Sequence, residues 1–185
     1  MTALTPANQL TLLRVALIPL FVILVVYGYL GWALVVFMIA ALTDALDGLI
    51  ARRTGQKSTL GAWLDPMADK LLAISTFVVL TMPGLGLVNR LPIWLTVVII
   101  SRDVVIILTV AIVNLAIGPR TFRPSIFGKA ATATYMLTVV AVMFFNFLGY
   151  RSIVVDLFVW GSLAITLISS LHYAMNIART IDASA

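Results

Sequence analysis

Six stretches of about twenty residues, nearly free of charge and separated by short polar or glycine-bearing breaks, leave this chain few folds to choose from. In hydrocarbon the backbone must satisfy its own hydrogen bonds, so an unbroken apolar stretch of that length becomes a helix. Hydropathy read against the breaks places spans at 10–30, 32–53, 60–81, 92–117, 125–148 and 152–178. Gly28-Tyr29-Leu30-Gly31, Thr54 to Ser58, Met82 to Leu91, Gly118 to Pro124 and Gly149-Tyr150-Arg151 supply the helix-stopping residues between them. Composition agrees: of 185 residues, 62% are apolar and 10% charged, where a soluble domain has about a quarter charged. The expectation is an all-α integral membrane protein with six transmembrane helices. A short interfacial helix over 3–9 precedes the first span, capped by Thr5 or Asn8. One domain over 1–185 uses the whole length, and nothing has the pattern of a signal peptide.

The charges narrow the chemistry. Twelve Lys/Arg face seven acidic residues, all of them aspartate, and the net charge is +5. In a soluble protein that balance would suggest nucleic acid; here it reflects loops facing anionic lipid, so the partner is a bilayer and not a nucleic acid. Arg52, Arg53, Lys57, Arg120, Arg123 and Arg179 fall on the side of the termini, against Arg90 and Arg151 on the other. Both termini are therefore expected on the cytoplasmic or matrix side. No cysteine is present, which excludes a disulfide, a thiolate nucleophile and a cysteine metal site, and one histidine excludes a histidine cluster.

Four of the seven aspartates lie between 44 and 69. Thr43-Asp44-Ala45-Leu46-Asp47-Gly48-Leu49-Ile50-Ala51-Arg52 ends the second span, and Gly61-Ala62-Trp63-Leu64-Asp65-Pro66-Met67-Ala68-Asp69 opens the third. At about 100° per residue, 44, 47, 48, 51 and 52 share one arc of about 140°, and 61, 65 and 69 share one of about 80°. A short polar turn joins the spans, so they run antiparallel and positions with equal number sums lie at equal depth. Asp44 then faces Asp69, Asp47 faces Asp65, and Ala51 and Arg52 face Gly61. At about 1.5 Å per residue, Asp47 sits roughly 9 Å and Asp44 roughly 13 Å below Arg53. Four carboxylates this close need compensation, because repulsion and desolvation both oppose their charge. Oxygen-only ligation suits Mg²⁺, Mn²⁺ or Ca²⁺, and two such ions make a clamp for displacement at phosphorus. Gly48, Ala51 and Gly61 remove bulk beside the carboxylates, and Arg52 can hold a phosphate oxygen. Taken singly, Gly48 and Ala51 are as well explained by close helix packing; the whole set is not.

With every spacing intact, this segment resembles the D-x2-D-G-x2-A-R-x8-G-x3-D-x3-D signature of the CDP-alcohol phosphotransferase family. Asn8-Gln9-Leu10-Thr11-Leu12-Leu13-Arg14 is similar to the family's N-terminal P-N-x-L-T-x-x-R segment. The resemblance implies transfer of the phosphatidyl group of CDP-diacylglycerol to an acceptor alcohol with release of CMP, in a homodimer. It implies that Asp44, Asp47 and Asp65 ligate two divalent cations, Mg²⁺ or Mn²⁺. Asp69 is implied as the general base that also touches metal, and Gly48, Ala51, Arg52 and Gly61 as the CDP-binding surface.

The acceptor must be read from charges elsewhere, and the candidates are Arg102, Arg120, Arg123 and Lys129. Arg120-Thr121-Phe122-Arg123-Pro124-Ser125 and Gly128-Lys129 can bind a phosphate-bearing acceptor, although Arg120 and Arg123 equally satisfy the positive-inside rule. Arg102 and Lys129 lie inside spans, and Arg102 can pair with its neighbour Asp103. Ile100-Ser101-Arg102-Asp103-Val104 and Pro124 to Lys129 resemble the branch of phosphatidylglycerophosphate and single-motif cardiolipin synthases. Gly128-Lys129-Ala130-Ala131-Thr132 lacks the second lysine of the G-K-x-K-T common in bacterial glycerophosphate enzymes. Together with Leu171-His172-Tyr173 this favours phosphatidylglycerol as acceptor, with glycerol 3-phosphate as the alternative. His172 is expected as an interhelical hydrogen-bonding residue. A cation transporter with an intramembrane carboxylate site is the alternative from another class, but it leaves Gly61 and Arg52 without a role and needs a repeat that is not visible. The expected location is the bacterial cytoplasmic or mitochondrial inner membrane.

Overall fold

A computed structural model gives six helices in order: α1 (Pro6–Val26), α2 (Leu30–Thr54), α3 (Thr59–Thr81), α4 (Ile93–Ile117), α5 (Ile126–Phe147) and α6 (Ile153–Asp182). The structure describes residues 6–54, 59–118 and 125–182, with side chains at 9–44, 46, 67–115, 118 and 125–177. Among these residues there is no strand. Among the described residues the six helices follow the order of the six expected spans. Two ends of α1 differ. Residues 6–9 belong to the continuous helix and not to a separate interfacial piece, since the fixed φ of Pro6 suits a first turn. At the other end α1 stops at Val26, short of 30. Gly28 takes a left-handed φ of 78°, and the Tyr29 and Gly28 amides donate to the Leu24 and Val25 carbonyls, which closes the helix.

Among the described residues four helices contain stretches long and apolar enough to cross a membrane: Gln9–Val26, Ile93–Leu115, Ile126–Phe147 and Ile153–Ile177. The shorter apolar stretch of α2, Leu30–Asp44, ends where the aspartates begin. The protein is thus an all-α integral membrane protein in which the polar site interrupts the hydropathy of its own helices.

Contacts group the helices into two compact units, Met1–Arg90 with Val142–Arg151, and Leu91–Ala141 with Ser152–Ala185. In the first, α1 packs on both α2 and α3. Thr11, Arg14, Ile18, Phe21 and Val25 recur at alternating steps of three and four and are all buried, so a single face of α1 forms the seam. Ala33, Phe37, Ala40 and Thr43 answer from α2, and Ala68, Leu72, Thr76 and Leu80 from α3. Phe21 and Phe37 meet with centroids 5.8 Å apart. At one end of this unit, Asn89 and Asn146 exchange hydrogen bonds of 2.8 and 2.9 Å between side chain and backbone, tying the segment after α3 to the end of α5.

In the second unit α4 packs on α6, with Trp94 and Trp160 at 5.6 Å. Hydroxyls link α5 to α6: Tyr135 to Thr166 at 2.6 Å and Thr138 to Ser162 at 2.8 Å. With no hydrophobic driving force between helices in lipid, such bonds and close packing supply the cohesion.

Candidate active site

Arg14 is the only charged residue of α1 and its side chain is 0% exposed. A buried guanidinium requires an anion, and α2 and α3 each supply one. One terminal nitrogen lies 2.5 Å from Asp69 Oδ1 and the other 3.1 Å from Asp44 Oδ1. Two carboxylates from consecutive helices therefore sit at the two tips of one planar fork, which is the equal depth of Asp44 and Asp69 expected from the antiparallel register. The carboxylates themselves stay accessible, with side chains 40% and 46% exposed. Arg14 forms a buried floor, and the open side is left to ligands.

Asp47, Gly48, Ala51 and Arg52 continue α2, while Gly61 and Asp65 lie in the first turns of α3. Their side chains lie outside the described residues, and Arg120 and Arg123 lie outside them altogether. Among the described residues no three metal-ligating side chains gather, and Asp44 and Asp69 are the two site carboxylates within that set. An accessible pair of carboxylates at one level, without nitrogen or sulfur donors, suits a hard divalent cation.

In the second unit the side chain of Arg102 is 11% exposed. It donates to Asp103 Oδ1 at 2.8 Å, the local pair expected from sequence, and to Ser169 Oγ on α6 at 2.7 Å. Its Nε is buried with no hydrogen-bond partner, and so is the Tyr173 hydroxyl, one turn beyond Ser169 on α6. Gly128 lies beside this group: a Cβ there would come 3.7 Å from the Arg102 guanidinium and 3.3 Å from Ser125 Oγ. Ser125 caps α5 by accepting from the Gly128 amide at 3.0 Å. Lys129, in the same turn, is exposed. The structure thus brings Arg102 and the Gly128-Lys129 turn together. His172 differs from expectation: its hydrogen-bonding neighbour is Asn176 on its own helix at 3.2 Å, and across to α5 it makes a ring contact with Phe127 at 4.8 Å.

A cavity of about 640 Å³ opens in the first unit among Tyr29, Trp32, Leu34, Phe144 and Phe147. Its deepest α2 residue toward the aspartates is Val35, and the nine residues to Asp44 correspond to about 13 Å of helix. This apolar crevice is separate from the carboxylates.

Residues 4–168 match the family model of the CDP-alcohol phosphatidyltransferases. The chain belongs to this family. A protein of Mycobacterium tuberculosis named "Probable phosphatidylglycerophosphate synthase" is 30% identical over 183 residues, covering 95% of this chain and 82% of that protein. A cardiolipin synthase (CMP-forming) of Streptomyces coelicolor is 34% identical over 164 residues, covering 85% and 74%. The human cardiolipin synthase (CMP-forming) is 33% identical over 197 residues, covering 96% of this chain and 64% of its own length. The reaction of this phosphatidyltransferase is transfer of a phosphatidyl group from CDP-diacylglycerol with release of CMP.

Two features of the phosphatidyltransferase were not among the site residues expected from sequence. Arg14 gave a signal, since a lone charge in a membrane span marks function by default. Tyr173 gave none, because an aromatic hydroxyl late in an apolar helix does not show whether it finds a partner.

Proposed function

We propose that this phosphatidyltransferase makes cardiolipin, taking phosphatidylglycerol as acceptor. Asp44, Asp47, Asp65 and Asp69 would hold two divalent cations, Mg²⁺ or Mn²⁺, and Gly48, Ala51, Arg52 and Gly61 would receive the CDP moiety. When bound, the cations neutralise the pyrophosphate and stabilise CMP as it leaves. Asp69 takes the proton of the acceptor hydroxyl as its oxygen bonds to the phosphatidyl phosphorus and the bond to CMP breaks. The observation that carries the donor site is the shared hold of Arg14 on Asp44 and Asp69, which supports the depth register of the whole carboxylate set.

For the acceptor, Arg102 and Lys129 bind the phosphate, with Arg120 and Arg123 nearby in sequence. Arg102 spends one nitrogen on Asp103, so that pair carries no net charge, and Ala131 stands where a second lysine would add one. Among the described residues Arg102, Asp103 and Lys129 together carry one net positive charge, which suits the single charge of a phosphodiester better than the double charge of a phosphomonoester. The cardiolipin synthase names of two relatives support this reading. Glycerol 3-phosphate is the second reading, supported by the name of the mycobacterial relative. Residues 1–185 form a single catalytic domain, which works as a homodimer in a bacterial cytoplasmic or mitochondrial inner membrane, with termini and active site facing the cytoplasm or matrix.

The test is purified protein with CDP-diacylglycerol and Mn²⁺, given phosphatidylglycerol, glycerol 3-phosphate, inositol phosphate or serine separately, with CMP and lipid product measured. Cardiolipin formed only with phosphatidylglycerol is the expected result. Product from glycerol 3-phosphate alone replaces the first reading by the second, and metal transport without CMP overturns both.

A further inference from the structure

We propose that Arg14 is a positioning residue of this enzyme: its fork fixes the spacing of Asp44 and Asp69 so that the carboxylate site is formed before metal arrives. The inference rests on the donor-site reading above. Arg14 is fully buried in the seam of α1, and each terminal nitrogen engages a carboxylate from a different helix. A planar guanidinium holds its two tips at a fixed separation, whereas an ammonium is a single point that cannot set a distance between two anions. α1 packs on both α2 and α3, so the fork is anchored on the element common to the two site helices. Groups that orient metal ligands from behind typically contribute 10–100-fold to metal affinity.

Charge and positioning predict opposite signs, which makes the role testable. A buried cation beside a cation site repels the metal, so on charge alone its removal tightens binding. Positioning predicts the reverse. The experiment is titration of the detergent-purified, metal-stripped enzyme with Mn²⁺, following bound metal by electron paramagnetic resonance. Arg14→Lys keeps the charge and loses the fork. It is expected to elute and melt like the parent protein, to bind Mn²⁺ about 10–100-fold more weakly, and to show an altered line shape at saturation. Arg14→Gln, without charge, is expected to weaken binding as well. Parental affinity and line shape in Arg14→Lys, or tighter binding in Arg14→Gln, overturn the proposal. If both variants fold only when Mn²⁺ is supplied, metal and arginine organise the same carboxylates and the proposal stands; failure to fold with Mn²⁺ overturns it in favour of general support of the seam. Asp47→Asn is the control for the underlying reading. It should lose Mn²⁺ whatever stands at 14, and parental Mn²⁺ binding by that variant would overturn the donor site itself.

Discussion

Asp44 and Asp69 look alike from the side of Arg14, each giving one oxygen to the fork and each nearly half open, yet the chemistry asks different things of them. A ligand must stay charged against the metal, whereas a base must have affinity left for the acceptor proton. Asp69→Asn keeps the size and a carbonyl oxygen but loses basicity. It should retain metal-dependent CDP-diacylglycerol binding within about tenfold and lose about a hundred- to ten-thousandfold in turnover, in line with the contribution of general base catalysis. Asp44→Asn should lose donor and metal together, and calorimetry on the two variants separates these outcomes; equal loss of donor binding makes Asp69 a ligand. The acceptor group offers a parallel comparison. Arg102 is nearly buried and tied to Asp103 and Ser169, so it is held in place, while Lys129 is exposed. A charge-assisted hydrogen bond contributes about 1.5–3 kcal/mol. Arg102→Ala should therefore raise the acceptor KM by one to two orders of magnitude, and Lys129→Ala by less, with the donor KM unchanged in both. A matching rise in donor KM would place these residues with the CDP moiety or with folding.

At the level of the helices, cohesion in the second unit comes from a row of hydroxyls between α5 and α6. Thr138 also donates to the Thr134 carbonyl of its own helix, so its oxygen is not stranded when Ser162 is lost. The interhelical bond should therefore be worth no more than is usual in membranes. A double-mutant cycle of Thr138→Ala and Ser162→Ala, read by unfolding in mixed micelles, should give about 0.6 kcal/mol of coupling and at most about 1.7. Such a row is nearly invisible in sequence, where threonine and serine read as small neutral residues that fit any face. The helices themselves were legible, because each apolar stretch ends in residues that cannot continue it. Gly28-Tyr29-Leu30-Gly31 shows the limit: two glycines offer a left-handed turn, hydropathy does not choose between them, and Gly28 took it. The facing of Asp44 and Asp69 was legible because a short polar turn sets the register of α2 against α3. The residue that joins them was not, since Arg14 lies 55 positions from Asp69 and periodicity gives a face but not the neighbour across it.

Each unit alternates helix direction internally. Arg14 meets Asp44 and Phe21 meets Phe37, so residue numbers rise on α1 as they fall on α2; Tyr135 with Thr166 and Thr138 with Ser162 show the same for α5 and α6. In contrast, Trp94 with Trp160 and Arg102 with Ser169 advance together, so α4 and α6 run parallel. The six spans read from hydropathy cross in alternate directions, so the breaks after the second and fourth are expected on one face and those after the first, third and fifth on the other. The charges then set which face is which. In sequence Arg52, Arg53 and Lys57 flank the break after the second span and Arg120 and Arg123 that after the fourth, against one arginine each, Arg90 and Arg151, in the breaks after the third and fifth. Lysine and arginine near span ends are retained on the cytoplasmic side. Because the chain has no cysteine, a single introduced thiol is the only one that can be labelled. With a membrane-impermeant maleimide on intact bacterial spheroplasts expressing the protein, Ser152→Cys, beside Arg151, should react, whereas Ser58→Cys, beside Lys57, should react only in inverted vesicles. The reverse pattern would turn the protein over and put the end of α2 that carries the aspartates on the face opposite to the one that the charges assign.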